Sequence, residues 1–309
     1  MSGPVASPPG ARARRLERFA IELPPEALIV LAILSVQVGS GLAASLLREH
    51  GALALVTLRL VFGALLLVAL RRPRLRPSGR AAVIATIALG IDIAAMNSFF
   101  YLAIARIPLG VVVAIEFWGP LAVGVFGSRR ARDLVWVALA AVGIWILTGG
   151  RLEADDAFGV AAALAAGAGW ALFVVLGSRV ARGWPDGRGL AAAVSIAALV
   201  VLPVSLVGGG LGEIVASPDL IVAGLVVAAL ASAIPWSLEL AALRRLPNAT
   251  YGVLMSLEPA VAAVLGAVVL AQALDPAEVV AIGVVVVASA GASRTARSLE
   301  VAPGELEAA

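Results

Sequence analysis

Apolar runs about as long as a membrane-crossing helix recur along almost the whole chain, separated by short breaks of Arg, Gly and Pro. Ten can be read, at roughly 27–47, 51–70, 81–103, 108–128, 132–149, 157–178, 189–207, 218–241, 248–271 and 276–293. About 20 apolar residues in a helix cover the roughly 30 Å of hydrocarbon in a bilayer. The connections between runs are too short to hold a soluble domain. The pattern therefore predicts an all-α integral membrane protein of ten transmembrane helices, whose work is done inside the bilayer.

Composition supports this and excludes the alternatives. The chain is 61% hydrophobic and 14% charged. A soluble fold of ten such helices would need more charged faces than that. The basic residues are all Arg, and their placement alternates. One side of the runs carries Arg12, Arg14, Arg15 and Arg18, then Arg71 to Arg80, Arg129 to Arg132, Arg179 to Arg188, Arg244 with Arg245, and Arg294 with Arg297. The other side has only Arg48, Arg106 and Arg151, and Arg59 lies within a run. This asymmetry predicts both termini in the cytoplasm and assigns the basic charge to orientation and lipid contact, not to nucleic acid.

The Arg- and Pro-rich residues 1–26 and the polar residues 294–309 are expected to be cytoplasmic tails. The first apolar run is too long for a signal peptide and is followed at once by another, so it is retained as a helix. Cysteine is absent, which removes disulfides and thiolate metal sites.

One constant shift superposes "NSFFYLAIARIPLGVVVAIEFWGPLAVGVFG" on "WSLELAALRRLPNATYGVLMSLEPAVAAVLG". It places Ser98 on Ser237, Arg106 on Arg245, Pro108 on Pro247, Pro120 on Pro259 and Gly127 on Gly266. The fourth span matches the ninth, so the repeat unit has five spans. An odd number inserts the second unit upside down, giving repeats at 27–149 and 150–293. Inverted repeats are common in secondary transporters, which bind substrate near the bilayer midplane between them. Pro120 and Pro259 lack the N–H that would bond the carbonyls of Glu116 and Met255, so both spans are expected to break there.

Charge inside these spans is the main chemical signal. Glu116 lies about 12 Å from the outer end of its span and Glu258 about 16 Å from the inner end of its own. An acidic group at that depth costs about 3 kcal/mol on insertion scales and usually faces a cavity or a partner. Both are candidates for substrate binding or proton coupling. A structural role is open to each: Glu116 could pair with Arg59, and Arg59 equally with Asp92. Glu239, near the cytoplasmic end of the eighth span, could bind substrate or simply reach the interface. Gln37, Asn97 and Ser256 could hydrogen-bond a substrate, as could Ser98 and Ser237, although such residues also join helices. Trp118, Tyr101, Trp236 and Tyr251 could shape a pocket, whereas Trp145 suits an interfacial belt.

Enzyme chemistry finds little support and would have to rest on carboxylates in a cavity, and ATP use finds none. The sole histidine, His50, falls in an outer turn, no metal or cofactor motif is present, and there is no G-x-x-x-x-G-K-[ST] sequence.

The segments "SVQVGSGLAASLL", "TLRL", "SRRARDLVWVALAAVGIW" and "GAGWALFVVLGSR", and above all "PLGVVVAIEFWGPL" together with "LMSLEPAVAA", resemble the EamA branch of the drug/metabolite transporter superfamily. Within it they are most similar to the bacterial inner-membrane exporters of threonine and homoserine. The resemblance covers about 27–293 and implies a basket of ten helices around a central cavity, with efflux of small metabolites. On the family's pattern, Gln37, Arg59, Asn97, Glu116, Pro120, Glu239, Glu258 and Pro259 would line that cavity. The chain departs from the pattern at Gln272, where the family often has an acid, and at Asp92, where a small or neutral residue is usual.

The leading expectation is thus alternating-access export of small neutral amino acids, with or without proton coupling. Export of another metabolite or a cationic drug is the nearest alternative. A membrane scaffold or sensor that transports nothing is the alternative of a different class.

Overall fold

In the computed structural model the described residues are 23–71, 77–120, 122–123, 134–147, 154–184, 188–243, 245 and 254–300. Most of them are helical, with no strand among them. In chain order the helices are α1 (Pro25–Leu46), α2 (Ala52–Arg71), α3 (Arg80–Ile104), α4 (Leu109–Glu116), α5 (Leu134–Leu147) and α6 (Ala154–Gly183). After these come α7 (Gly189–Val207), α8 (Gly210–Ala216), α9 (Pro218–Ala228), a π-helical turn (Ala229–Ala233), α10 (Ile234–Leu243), α11 (Glu258–Leu270) and α12 (Pro276–Glu300).

Six described helices are long and apolar enough to cross a membrane: Pro25–Leu46, Ala52–Leu70, Arg80–Ile104, Ala157–Gly183, Gly189–Val207 and Pro218–Glu239. Leu109–Pro120, Leu134–Gly143, Glu258–Leu270 and Pro276–Ala288 are shorter apolar helices. Two features lie outside the sequence expectation. The short helix α8 occupies the connection before the eighth span, and α12 continues to Glu300, into the segment read as a tail.

Prolines set several boundaries. α1 and α9 open with Pro25 and Pro218 in the first turn, where the missing N–H costs no bond, and Glu26 and Asp219 sit there against the positive end of the dipole. The stretch read from the sequence as the fourth span is interrupted. α4 ends at Glu116, Phe117 forms a turn, and residues 118–120 resume the helix. In the ninth, residues 254–255 are helical, 256–257 form a turn, and α11 restarts at Glu258 with Pro259 in its first turn.

Side chains are distributed as a hydrocarbon solvent demands. Large apolar residues face outward, such as Leu65 (59% exposed), Leu199 (67%) and Val268 (76%), while Gln37 (1%), Arg59 (7%), Glu116 (7%) and Glu258 (7%) are buried. Every residue of α4 is buried, so this helix has no lipid-facing side and runs through the middle of the assembly. It packs on α11 and α6; α3 packs on α6 and α7, α10 on α1, α2 on α7 and α9, α11 on α1, and α5 on α12.

Gly39 admits the closest of these approaches on α1, since a Cβ there would come within 2.8 Å of the Ala231 backbone nitrogen in the π-helical turn. On the opposite side a Cβ at Gly119 would overlap the Gly167 carbonyl, which brings the fourth span and α6 into backbone contact.

Candidate functional site

The buried polar residues converge where α1, α2, α4, α10 and α11 meet. Gln37 of α1 donates from Nε2 to Oε1 of Glu258, the first residue of α11, at 3.0 Å. Glu258 lies within electrostatic reach of Glu239 on α10 and Glu116 on α4, and Glu116 within reach of Arg59 on α2. The sequence-predicted residues Gln37, Arg59, Glu116, Glu239 and Glu258 are therefore one neighbourhood, holding three carboxylates and one guanidinium.

Arg59 is anchored by two hydrogen bonds that none of the sequence candidates supplies. Its Nε donates to Ser232 Oγ at 3.2 Å and its Nη2 to the Ala231 carbonyl at 2.9 Å, both in the π-helical turn. Pro235 stands four residues after Ala231 and has no N–H to return the usual α-helical bond, so that carbonyl is offered to the guanidinium instead. The Tyr101 ring lies beneath, 5.8 Å from the Arg59 Cζ. Two of five N–H donors are thus committed to protein acceptors. Ser232 and the π-helical turn are features of the candidate site that the sequence reading missed; the signal that points to them is Pro235.

Neither pairing weighed for Arg59 is formed as a direct ion pair: it bridges neither Glu116 nor Asp92. The Glu116 carboxylate faces the guanidinium across the site without a hydrogen bond among the described residues. Asp92 is buried on the α3 face that meets α6, where its Oδ1 would lie 3.4 Å from a Cβ on Gly169 and its Oδ2 has no partner.

Other candidates have local duties. Asn97 donates to the Ile93 carbonyl of its own helix at 2.8 Å, and Ser98 and Ser237 bond back to Ala94 and Ala233. Trp118 donates from its indole to the Leu164 carbonyl of α6 at 3.3 Å, fastening the fourth span to that helix. Ser256 is buried in the turn before α11, and Trp236 is half-buried in α10. Pro120 and Pro259 flank the two interruptions, and the Glu116 carbonyl left without a Pro120 N–H packs within 2.6 Å of where a Cβ on Gly167 would be. Tyr251 lies outside the described residues. Gln272, just past α11, accepts from the Leu109 N–H with Oε1 at 3.1 Å and so caps α4 from another span.

A neighbourhood with an unpaired carboxylate facing a half-used guanidinium, sealed from lipid by apolar helices, suits a small molecule that carries both charges.

Comparison with known proteins places the whole chain. The chain is 41% identical over 276 residues to the threonine/homoserine exporter RhtA of Escherichia coli (strain K12), an alignment spanning 88% of this chain and 92% of that one. It is 39% identical over the same lengths to the protein of that name from Salmonella typhimurium (strain LT2). One solved crystal structure shares the fold at a TM-score of 0.60 with 17% identity, covering 88% of this chain and 98% of its own. Residues 157–294 match the EamA-like transporter family. With a relative at this identity aligned along nearly its whole length, the chain belongs to the EamA-like transporter family.

Proposed function

We propose that the protein exports small neutral amino acids of the threonine and homoserine kind across the bacterial cytoplasmic membrane, taking the zwitterion between Glu116 and Arg59. The observation that carries this reading is the opposition of those two charges in the buried centre with no ion pair joining them. The substrate ammonium meets Glu116. Its carboxylate takes guanidinium donors of Arg59 that Ser232 and Ala231 leave available. The exporters at about two-fifths identity support this substrate class.

Alternating access is the transport cycle we infer, between inverted halves at 27–149 and 150–293, with residues 1–26 and 294–309 as cytoplasmic tails. Matched helix contacts support it. Exchanging the halves turns the α3–α6 contact into α10–α1, α4–α6 into α11–α1, and α3–α7 into α9–α2. α4–α11, α2–α7 and α5–α12 map onto themselves. The two interrupted spans lie on this pseudo-two-fold, as expected where half-helix ends meet a transported solute. Three carboxylates against one guanidinium leave an acidic surplus, which makes exchange for an incoming proton the coupling mode we favour.

Cells loaded with labelled threonine or homoserine test the reading directly. Wild type is expected to export both faster than empty vector, and Glu116→Gln to bring efflux down to the vector level at matched membrane expression. Equal efflux from wild type and Glu116→Gln would sink the assignment.

A further inference from the structure

With Glu258 ionised, two hydrogen-bond acceptors of the site have no donor. Gln37 gives its amide N–H to Glu258 Oε1, which leaves Gln37 Oε1 and Glu258 Oε2 flanking that bond, both buried and both unpartnered. Buried acceptors are rarely left unmet, because each forfeits the hydrogen bond it had with water. No neighbouring donor reaches them: Asn97 gives an amide N–H to the Ile93 carbonyl, Arg59 is turned to Ser232 and Ala231, and the Tyr101 hydroxyl beneath Arg59 bonds to neither. Glu116 and Glu239, which face Glu258 from α4 and α10, are acceptors when ionised.

The two halves differ at this point. The shift that places Pro120 on Pro259 places Gly119 on Glu258. Gly119 meets Gly167 backbone to backbone, with no side chain between them. The acceptor pair is thus present on one side of the pseudo-two-fold only, so it orients whatever binds there.

A short hydroxylated amino acid has three polar ends. The reading above, on which this one rests, gives the ammonium to Glu116 and the carboxylate to Arg59. The hydroxyl hydrogen is the donor the remaining pair lacks. We propose that Gln37 Oε1 and Glu258 Oε2 form the subsite that accepts the substrate's side-chain hydroxyl, making Gln37 the residue that selects hydroxylated amino acids over their deoxy counterparts. A site built to hydrogen-bond a hydroxyl discriminates strongly against the analogue lacking it, since its own buried groups then stay unpaired.

Removing the hydroxyl from threonine or from homoserine yields the same compound, 2-aminobutyrate, which makes the test compact. Purified protein in liposomes is assayed for counterflow of labelled homoserine, with unlabelled threonine, homoserine, 2-aminobutyrate and O-methylhomoserine as competitors. O-Methylhomoserine keeps the oxygen but cannot donate. In wild type, both analogues are expected to compete more weakly than homoserine by about tenfold to a hundredfold, the worth of one hydrogen bond to a charged or buried acceptor. Gln37→Met, which keeps length without the carbonyl, is expected to lose most of that difference.

Wild type in which 2-aminobutyrate competes as well as homoserine overturns the proposal without any variant. Equal weakening of all competitors by Gln37→Met also overturns it, giving Gln37 a structural role. Absence of threonine and homoserine counterflow from a correctly inserted protein overturns the export reading as well.

Discussion

Arg59 is held by Ser232 and by the Ala231 carbonyl, and the two bonds need a planar fork with donors at fixed angles. Lysine keeps the charge but not the fork. Arg59→Lys is therefore expected to lower transport by about ten- to a hundredfold, and Ser232→Ala by about tenfold, mostly through KM. Initial rates over a range of substrate concentrations, at matched expression, check both. Retention of wild-type KM by Arg59→Lys would show that only the charge matters.

Much of this site could be read in the sequence. Glu116, Glu258 and Arg59 stand out because a charge in an apolar run is expensive, and Gln37 because an amide is out of place there. Ser232 is easily missed, since a lone serine among alanines looks like ordinary helix packing and only the nearby Pro235 points to it. Asn97 shows a feature that the sequence pattern does not reveal: its buried amide spends one donor on its own helix.

At the scale of the helix, interruptions shape the candidate site. Pro235 frees the Ala231 carbonyl beside a π-helical turn, a local widening often found at functional sites. Pro235→Ala restores an N–H to compete for that carbonyl. The variant is expected to fold with equal or higher thermal stability while losing transport, the two read by a thermal-shift assay and by efflux. A Pro235→Ala protein that transports normally would separate the proline from the Arg59 anchor.

Gly119 tests packing. A methyl there would collide with the Gly167 carbonyl, so Gly119→Ala is expected to cost about 1–3 kcal/mol as the fourth span is pushed off α6. A melting temperature unchanged from wild type would count against that contact.

The apolar spans were legible because hydrocarbon imposes one length and one composition on them. The π-helical turn, α8 and the extension of α12 were not. Each is set by what packs beside it, or lies where the bilayer imposes nothing.

Taken whole, the molecule is turned inside out relative to a soluble protein, with carboxylates at its centre and valine and leucine on its surface. Its loops also join distant parts of the chain. Glu213 of α8 accepts from the Gly51 N–H at 2.9 Å and sits 3.0 Å from His50 Nδ1, so the first turn of α2 is capped from the other half of the sequence. Glu213→Ala is expected to lower stability by about 1 kcal/mol, as for other lost N-caps, with Glu213→Gln in between because it keeps an acceptor but not the charge. Thermal melts of the detergent-solubilised protein rank the three, and an alanine variant as stable as wild type would deny the cap any weight.

That long-range cap has a consequence for biogenesis. The ribosome must make 162 further residues after Gly51 before the cap of α2 exists, and Ser232, the anchor of Arg59, comes later still. During synthesis the second helix therefore waits in the bilayer with a frayed end and an unshielded guanidinium. The N-terminal half expressed alone should be recognised and degraded by membrane quality control, whereas co-expression with the C-terminal half as a separate chain should rescue it.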